Sequence, residues 1–150
     1  MLNRLQGVFA SFETHQVKYV IIGGIAAVLH GVPRATFHLD ILIDPTPENA
    51  CNLLAALEKA GLGTAALTSE AELLANEITV FQDRVRIDVQ TSTTGLQFEI
   101  AWNNRLTMDY EGQAFYVVSR EDLIAAKQAA GRQVDLVDVR LLELGDRNEE

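Results

Sequence analysis

Two aspartates, Asp40 and Asp88, each interrupt an apolar segment in which alternate residues suit a β-strand. A carboxylate within such a segment is costly unless it is solvated, paired with a cation or bound to a metal. If the two strands are neighbours, both carboxylates can converge on one hard cation, Mg²⁺ or Mn²⁺, that also holds a triphosphate. The sequence is equally consistent with exposed strand faces on which the acids pair with Arg34, Arg84 or Arg86.

A glycine pair, Gly23-Gly24, lies between the apolar segment 18–22 and a short helical segment, 25–30. Glycines there leave backbone N–H groups accessible, so that a phosphate can approach without meeting a Cβ atom. The simpler interpretation is a tight strand-to-helix turn, which needs the same residues. No GxxxxGK[ST] motif is present, which excludes a P-loop.

Lys127 lies in the segment DLIAAKQAAGR, on the same predicted helix side as Leu123 and Ile124. A lysine at an inward position either extends its stem over the core or directs its ammonium at a buried anion, and the first is more common. Four charged residues follow at spacings that would also suit ordinary surface ion pairs near a helix junction: Arg132, Asp135, Asp138 and Arg140.

The elements that would position these residues alternate between helices and strands. Hydrophobic periodicity predicts helices over 2–15, 25–30, 47–60, within 69–76, over 119–130 and over 134–144, followed by a frayed polar tail. Strands are predicted over 18–22, 36–43, 77–81, 85–91 and 115–118, and 95–114 has no clear pattern. The strands over 18–22, 36–43 and 85–91 should share one mixed sheet. The helix over 47–60 should pack on the face opposite the acids, with Leu53, Leu54 and Leu57 buried.

Length and composition limit the class of protein. The 150 residues fit one domain, 1–150, and 48% hydrophobic residues suffice for a core. The net charge of −9 argues against bulk nucleic-acid binding. No segment is apolar and long enough to span a membrane, and no signal peptide is recognisable, so a cytoplasmic location is expected. The one cysteine, Cys51, is predicted to be a core residue, and the three histidines have no zinc-site spacing.

The segment YVIIGGIAAVLHGVPRATFHLDILID resembles the start of a minimal nucleotidyltransferase domain of the AbiEii-like type. RIDVQT is similar to the strand of that family that carries its third carboxylate, and LIAAKQAAGRQVDLVDVRLL is similar to its closing segment. The resemblance implies an α/β (α+β) fold with a nucleotidyltransferase-like mixed β-sheet flanked by helices and with C-terminal helices. It implies transfer of a nucleoside monophosphate from a nucleoside triphosphate to a protein or RNA hydroxyl, and a toxin–antitoxin context with a cognate partner protein.

Residue by residue, the resemblance places Asp40 and Asp88 at divalent metals, Mg²⁺ or Mn²⁺. It places Gly23 and Gly24 at the triphosphate and Lys127 near the nucleotide phosphates. Arg34 and Thr36 complete the nucleotide-binding set and support the strand that carries the acids.

His38 departs from the family pattern, because it stands where the first acid of Asp-x-Asp is expected. Mg²⁺ prefers oxygen ligands, whereas imidazole suits zinc, copper, iron or nickel. His38 would then ligate a softer metal, act as a base or only form a hydrogen bond.

Two alternatives to an active nucleotidyltransferase remain open. The protein is either a non-catalytic relative that binds a nucleotide or a partner protein in the same cleft, or an unrelated α/β interaction module.

Overall fold

In the computed structural model, the backbone of residues 1–149 and the side chains of residues 1–145 are described, and these residues form a six-stranded sheet with seven α-helices. The strands are β1 (Tyr19–Ile22), β2 (Leu39–Ile43), β3 (Ile78–Gln82), β4 (Arg86–Gln90), β5 (Leu106–Tyr110) and β6 (Gln113–Val117). The helices are α1 (Leu2–Thr14), α2 (Gly23–Leu29), α3 (Pro47–Lys59), α4 (Glu70–Ala75), α5 (Phe98–Asn103), α6 (Arg120–Ala130) and α7 (Gln133–Glu149). A 3₁₀ turn covers Gly63–Leu67.

The sheet has the order β3-β4-β2-β1-β6-β5 and mixes both strand directions. β1 is antiparallel to β2 and parallel to β6, and β2 is parallel to β4. Asp40 is the register partner of Asp88 on β4 and of Ile22 on β1. The predicted mixed sheet, flanked by helices and followed by C-terminal helices, is therefore confirmed, and partners in register lie on the same face.

Helices α1 and α3 cover the face opposite the acids. Tyr19 is three residues from Ile22, so strand alternation places it on the face away from Asp40. Its ring contacts those of Phe9 and Phe12 on α1, and α1 packs against α3. On α3, two of the three leucines predicted to be buried are fully so, Leu53 and Leu57, whereas Leu54 is only partly buried.

Local signals fix the ends of α3, which covers the opposite face, and of α6, which borders the acid face. The Thr46 side chain accepts a hydrogen bond from the Asn49 N–H, with Pro47 at the first helical position of α3. Ser119 accepts from the Asp122 N–H in the same way at the start of α6. α6 ends at Gly131, whose φ of +68° is the left-handed conformation that favours glycine.

Three sequence predictions about these elements need correction. β2 begins at Leu39 and not at residue 36, so Phe37 lies outside the sheet and is 83% exposed. α7 continues past residue 144 to Glu149, without a break at the predicted polar tail. Cys51 is exposed, because α3 buries Ala50 and Leu53 and its residue 51 falls on the outer side.

The unassigned stretch 95–114 holds α5 and β5, each too short to show a periodic pattern. Among the described helices, none combines the length and the apolar character needed to cross a membrane.

Candidate functional site

A cleft of about 570 Å³ opens on the sheet face that carries Asp40. It is bounded by the end of β1, the strands β2, β3 and β4, and the helices α2, α6 and α7. The structure brings every residue of the predicted site to its wall: Gly23, Gly24, Arg34, Thr36, His38, Asp40, Asp88 and Lys127.

The centre of the cleft is a triad of two carboxylates and one imidazole. His38 Nε2 lies 3.2 Å from Asp40 Oδ2 and 3.8 Å from Asp88 Oδ2. One ligand atom from each of the three residues lies within 4.8 Å of the others, which suits a shared cation. The close approach follows from the register of two parallel strands, because Asp40 and Asp88 are direct neighbours on β2 and β4.

Arg86 forms a two-point ion pair with Asp88. Its Nε donates to Oδ1 at 2.9 Å and its Nη2 donates to Oδ2 at 3.0 Å. The pairing of an acid with Arg86, one of the alternatives that the sequence left open, is thus present at Asp88. Each carboxylate oxygen can accept from two directions, so Asp88 keeps capacity for a second partner.

Asp40 lies in surroundings that disfavour its ionised form. Burial raises the pKa of Asp40 to about 6, and repulsion from Asp88 adds to the increase, while His38 and Arg86 act in the opposite direction. A raised pKa in a cleft is typical of a functional carboxylate. A bound cation would reverse this balance, because it stabilises the ionised form.

Gly23 and Gly24 form the first two residues of α2 and lie against the acid strand. Gly23 has φ of +67°, and a Cβ atom there would lie 2.5 Å from Asp40 Oδ2. At Gly24 a Cβ atom would lie 3.1 Å from Thr36 Oγ1. The glycine pair therefore does more than permit a turn, since a side chain at Gly23 would occupy the space of the Asp40 carboxylate.

Lys127 is buried, and its ammonium pairs with acids of α7. Its Nζ donates to Asp138 Oδ2 at 2.9 Å and lies 3.8 Å from Asp135 Oδ1. Arg34 Nη1 donates to the same oxygen of Asp138 at 2.6 Å. The inward position of Lys127 predicts that its ammonium approaches the acid pair or the glycine turn and lowers the pKa of Asp40 or Asp88. In the structure the ammonium contacts Asp138 instead, and the raised pKa of Asp40 is set by burial, His38, Asp88 and Arg86.

The α7 acids do not form the ordinary surface ion pairs that their spacing would also suit, because both are buried. Asp135 and Asp138 are each 2% exposed. Although burial acts to raise it, hydrogen bonds and the charge of Arg132 hold the pKa of Asp135 below its usual value. The sequence carried a signal, because positions 135, 138, 139 and 142 share one helix side and two of them are the apolar Val139 and Leu142.

The family model described as a nucleotidyltransferase of unknown function (DUF6036) matches residues 3–148. This match covers nearly the whole chain. The chain belongs to this nucleotidyltransferase family. No curated protein matches the chain significantly.

Three side chains of the cleft, Asp40, Asp88 and His38, offer ligand atoms for a divalent cation. Asp40 and Asp88 supply hard oxygen donors and two negative charges, one of which Arg86 already neutralises. Gly23 has no Cβ atom, which would lie 2.5 Å from Asp40 Oδ2 and would block the approach of a cation to that oxygen from this side. The residues therefore fit one Mg²⁺ or Mn²⁺, with His38 as a third donor of softer type.

Proposed function

We propose that the protein is a metal-dependent nucleotidyltransferase of the AbiEii-like type, which transfers a nucleoside monophosphate from a nucleoside triphosphate to a hydroxyl. The observation that carries the proposal is the pairing of Asp40 with Asp88 on adjacent strands, with His38 Nε2 within 3.2 and 3.8 Å of their carboxylates. Membership of a nucleotidyltransferase family supports the reaction class.

Asp40 and Asp88 would hold the cation, with His38 in the place of the missing acid. When bound, the cation supplies positive charge that stabilises the transferred phosphate. In the reaction the acceptor oxygen bonds to the α-phosphorus, the bond to the β-phosphate oxygen breaks, and pyrophosphate leaves. The acceptor hydroxyl loses its proton to water.

Arg34 and Lys127 would bind the phosphates. Both donate to one oxygen of Asp138, so this group of three side chains carries one surplus positive charge. Gly23 and Gly24 would let the triphosphate approach the backbone closely. Thr36, which lies beside Gly24, supports the segment that leads into β2.

The acceptor would be a hydroxyl of a protein or an RNA, and a cognate partner protein in a toxin–antitoxin pair would provide the setting. We place the reaction in the cytoplasm. The net charge of −9 favours a compact acceptor over a long polynucleotide.

Calorimetric titration with ATP, GTP, CTP and UTP, each with Mg²⁺ and then with Mn²⁺, tests the proposal. We expect saturable binding of at least one nucleotide that requires the cation. Asp40→Asn should remove the cation requirement or the binding, whereas Asp44→Asn, the same change beyond the end of β2, should do neither. Tight binding without any turnover would favour a non-catalytic nucleotide-binding relative, and no binding of any nucleotide would overturn the proposal.

A further inference from the structure

Strand β3 forms one edge of the sheet, and its outer side pairs with none of the residues that the structure describes. Alternate residues bond to the β4 side, since the Thr91 N–H donates to the Glu77 carbonyl and the Asp83 N–H donates to the Val85 carbonyl. In this antiparallel register the residues at the other positions direct their N–H and C=O groups outward: Ile78, Val80 and Gln82. β3 therefore offers a row of backbone donors and acceptors to a further strand.

The two edges of the sheet differ in how they are protected. Edge strands usually carry a charged residue, a proline or a β-bulge that keeps another strand from pairing. β5, at the other edge, contains the exposed Asp109. The sequence of β3, ITVFQ, has neither a charged residue nor a proline, and its register with β4 runs without a bulge. The β3 edge therefore has the features of a surface to which an extended peptide adds.

The outward-bonding residues of β3 have their side chains on the acid face. Val80 is the register partner of Asp88, which is in turn the register partner of Asp40, so these three side chains form one row across the sheet. Ile78 and Val80 are 51% and 50% exposed, and Ile78 lines the cleft that holds the triad. An apolar surface thus connects the cleft with the β3 edge.

Acids flank this edge at both ends. Glu77 precedes β3 and Asp83 follows it, and both are exposed. Asp83 accepts hydrogen bonds from neutral groups, which leaves its negative charge in place. The nearby cations are engaged elsewhere, Arg84 with backbone carbonyls of residues 4 and 60 and Arg86 with Asp88. The charges favour a strand with basic ends over a nucleic acid.

We propose that the acceptor is a protein segment that adds to the β3 edge as an extended strand and presents a tyrosine hydroxyl to the cleft, an inference that rests on the proposed function. Neighbouring strands lie about 4.8 Å apart, so the residue opposite Val80 would lie about 10 Å from Asp88. Among hydroxyl side chains only tyrosine extends far enough across this gap, with its ring over Val80. The phenolic oxygen bonds to the α-phosphorus and loses its proton to water, while the bond to the β-phosphate oxygen breaks and pyrophosphate leaves.

Binding of the strand is measured without nucleotide, so that it does not depend on transfer. The probe is the dye-labelled peptide acetyl-Lys-Thr-Val-Tyr-Val-Thr-Lys-amide, whose lysines lie three residues from the tyrosine, as Glu77 and Asp83 lie from Val80. Fluorescence anisotropy should show saturable binding. The same peptide with N-methyl groups on its five central residues keeps its side chains and charges but cannot pair, and should not bind. No saturable binding of the first peptide, or equal binding of the two, would overturn the proposal.

Two matched pairs of variants locate the bound peptide. Val80→Ala should weaken binding about two- to fivefold because the ring loses apolar contact, whereas Val137→Ala, at a valine of α7 that is 51% exposed, should not. Glu77→Gln should weaken binding by about the same factor, and Glu58→Gln, an exposed change on α3, should not. Unchanged affinity in both Val80→Ala and Glu77→Gln would place the peptide elsewhere and contradict the proposal.

Labelling separates this inference from the proposed function. With Mg²⁺ and an α-labelled nucleotide, the tyrosine peptide should become labelled, and the same peptide with phenylalanine in place of tyrosine should bind without being labelled. Labelling of RNA or of other proteins in a cell extract, together with a tyrosine peptide that stays unlabelled, would overturn strand addition and leave nucleotidyl transfer in place. Binding of the peptide to a protein that binds no nucleotide would instead overturn the proposed function and support strand addition at β3.

Discussion

At the scale of single residues, the site depends on how Asp40 and His38 share a small space. Asp40 is ionised at a cost to the fold, because burial and Asp88 both oppose its charge. His38 Nε2 lies 3.2 Å from its Oδ2 and limits that cost. The sequence predicts the strand that carries Asp40, but it does not reveal the desolvation that raises the pKa of Asp40, because that depends on what covers this face of the sheet.

Asp40→Asn should stabilise the metal-free protein at pH 8. The pKa of Asp40 is about 6 in the folded protein against an ordinary value of 3.8, so its contribution to stability falls as the pH rises from about 4 to 6 and stays low above pH 6. The substitution should recover up to about 2–3 kcal/mol at pH 8 and little at pH 4. Urea unfolding in the presence of a chelator at both values measures this, and an equal effect at the two pH values would contradict it.

His38→Asp should restore the missing carboxylate and raise the affinity for Mg²⁺, with nucleotide transfer increasing in parallel. The same change should lower the stability of the metal-free protein, because a third acid adds repulsion beside Asp40 and Asp88. Calorimetric Mg²⁺ titration and initial rates measure both effects. If His38→Asp and His38→Ala both lose activity, His38 is instead a ligand or base in its own right.

At the scale of elements, the turn at the start of α2 and the side of α7 position the cleft residues. The strand, glycine pair and helix order was predictable, since apolar periodicity and Gly23-Gly24 mark it. The role of α7 in pairing with Arg34 and Lys127 was not predictable, because acids spaced by three residues among arginines are also typical of an exposed helix. Only the packing of α7 on α6 makes Asp138 the shared partner of Arg34 and Lys127.

Gly23→Ala should disrupt the acid site beyond its effect on backbone strain. Gly23 and Gly112 both have positive φ, +67° and +88°, so alanine at either should cost about 1–2 kcal/mol. Only at position 23 would the new Cβ meet Asp40, while at 112 nothing lies within 4 Å. Cation-dependent nucleotide binding should therefore be lost in Gly23→Ala and kept in Gly112→Ala. Loss of binding in both would indicate that the contact with Asp40 is irrelevant.

Asp138→Asn should be strongly destabilising, because it leaves the buried ammonium of Lys127 without its closest charge partner. Removal of one partner of a buried ion pair costs about 3–5 kcal/mol. Glu143→Gln, an exposed change on the same helix, should stay within about 0.5 kcal/mol. Denaturant titration measures the free energy of unfolding of both variants. Equal losses in the two would show that the Asp138 ion pairs contribute no more to stability than surface charges do.

At the scale of the whole molecule, acidic residues exceed basic ones by 21 to 12, while the candidate nucleotide site gathers several of the basic residues. The composition therefore predicted the charge of the surface, but the local cation group at the cleft depends on tertiary contacts between Arg34, Lys127 and α7. Such a molecule can hold one nucleotide without attracting long polyanions.

A long single-stranded RNA should accordingly not bind at physiological salt. Fluorescence anisotropy with a labelled oligonucleotide of arbitrary sequence, from low to high salt, measures this. Micromolar affinity at physiological salt with the steep salt dependence of phosphate contacts would contradict the expectation.

The most direct test follows the two ends of the triphosphate. The protein is incubated with Mg²⁺ or Mn²⁺ and each nucleotide in turn, labelled once at the α-phosphate and once at the γ-phosphate, with cell extract as the source of acceptors. We expect the α label to enter an acceptor and the γ label to leave as pyrophosphate in equal amount, and we expect neither with Asp40→Asn. Transfer of the γ label to an acceptor, or equal incorporation by Asp40→Asn, would contradict nucleotidyl transfer at this site.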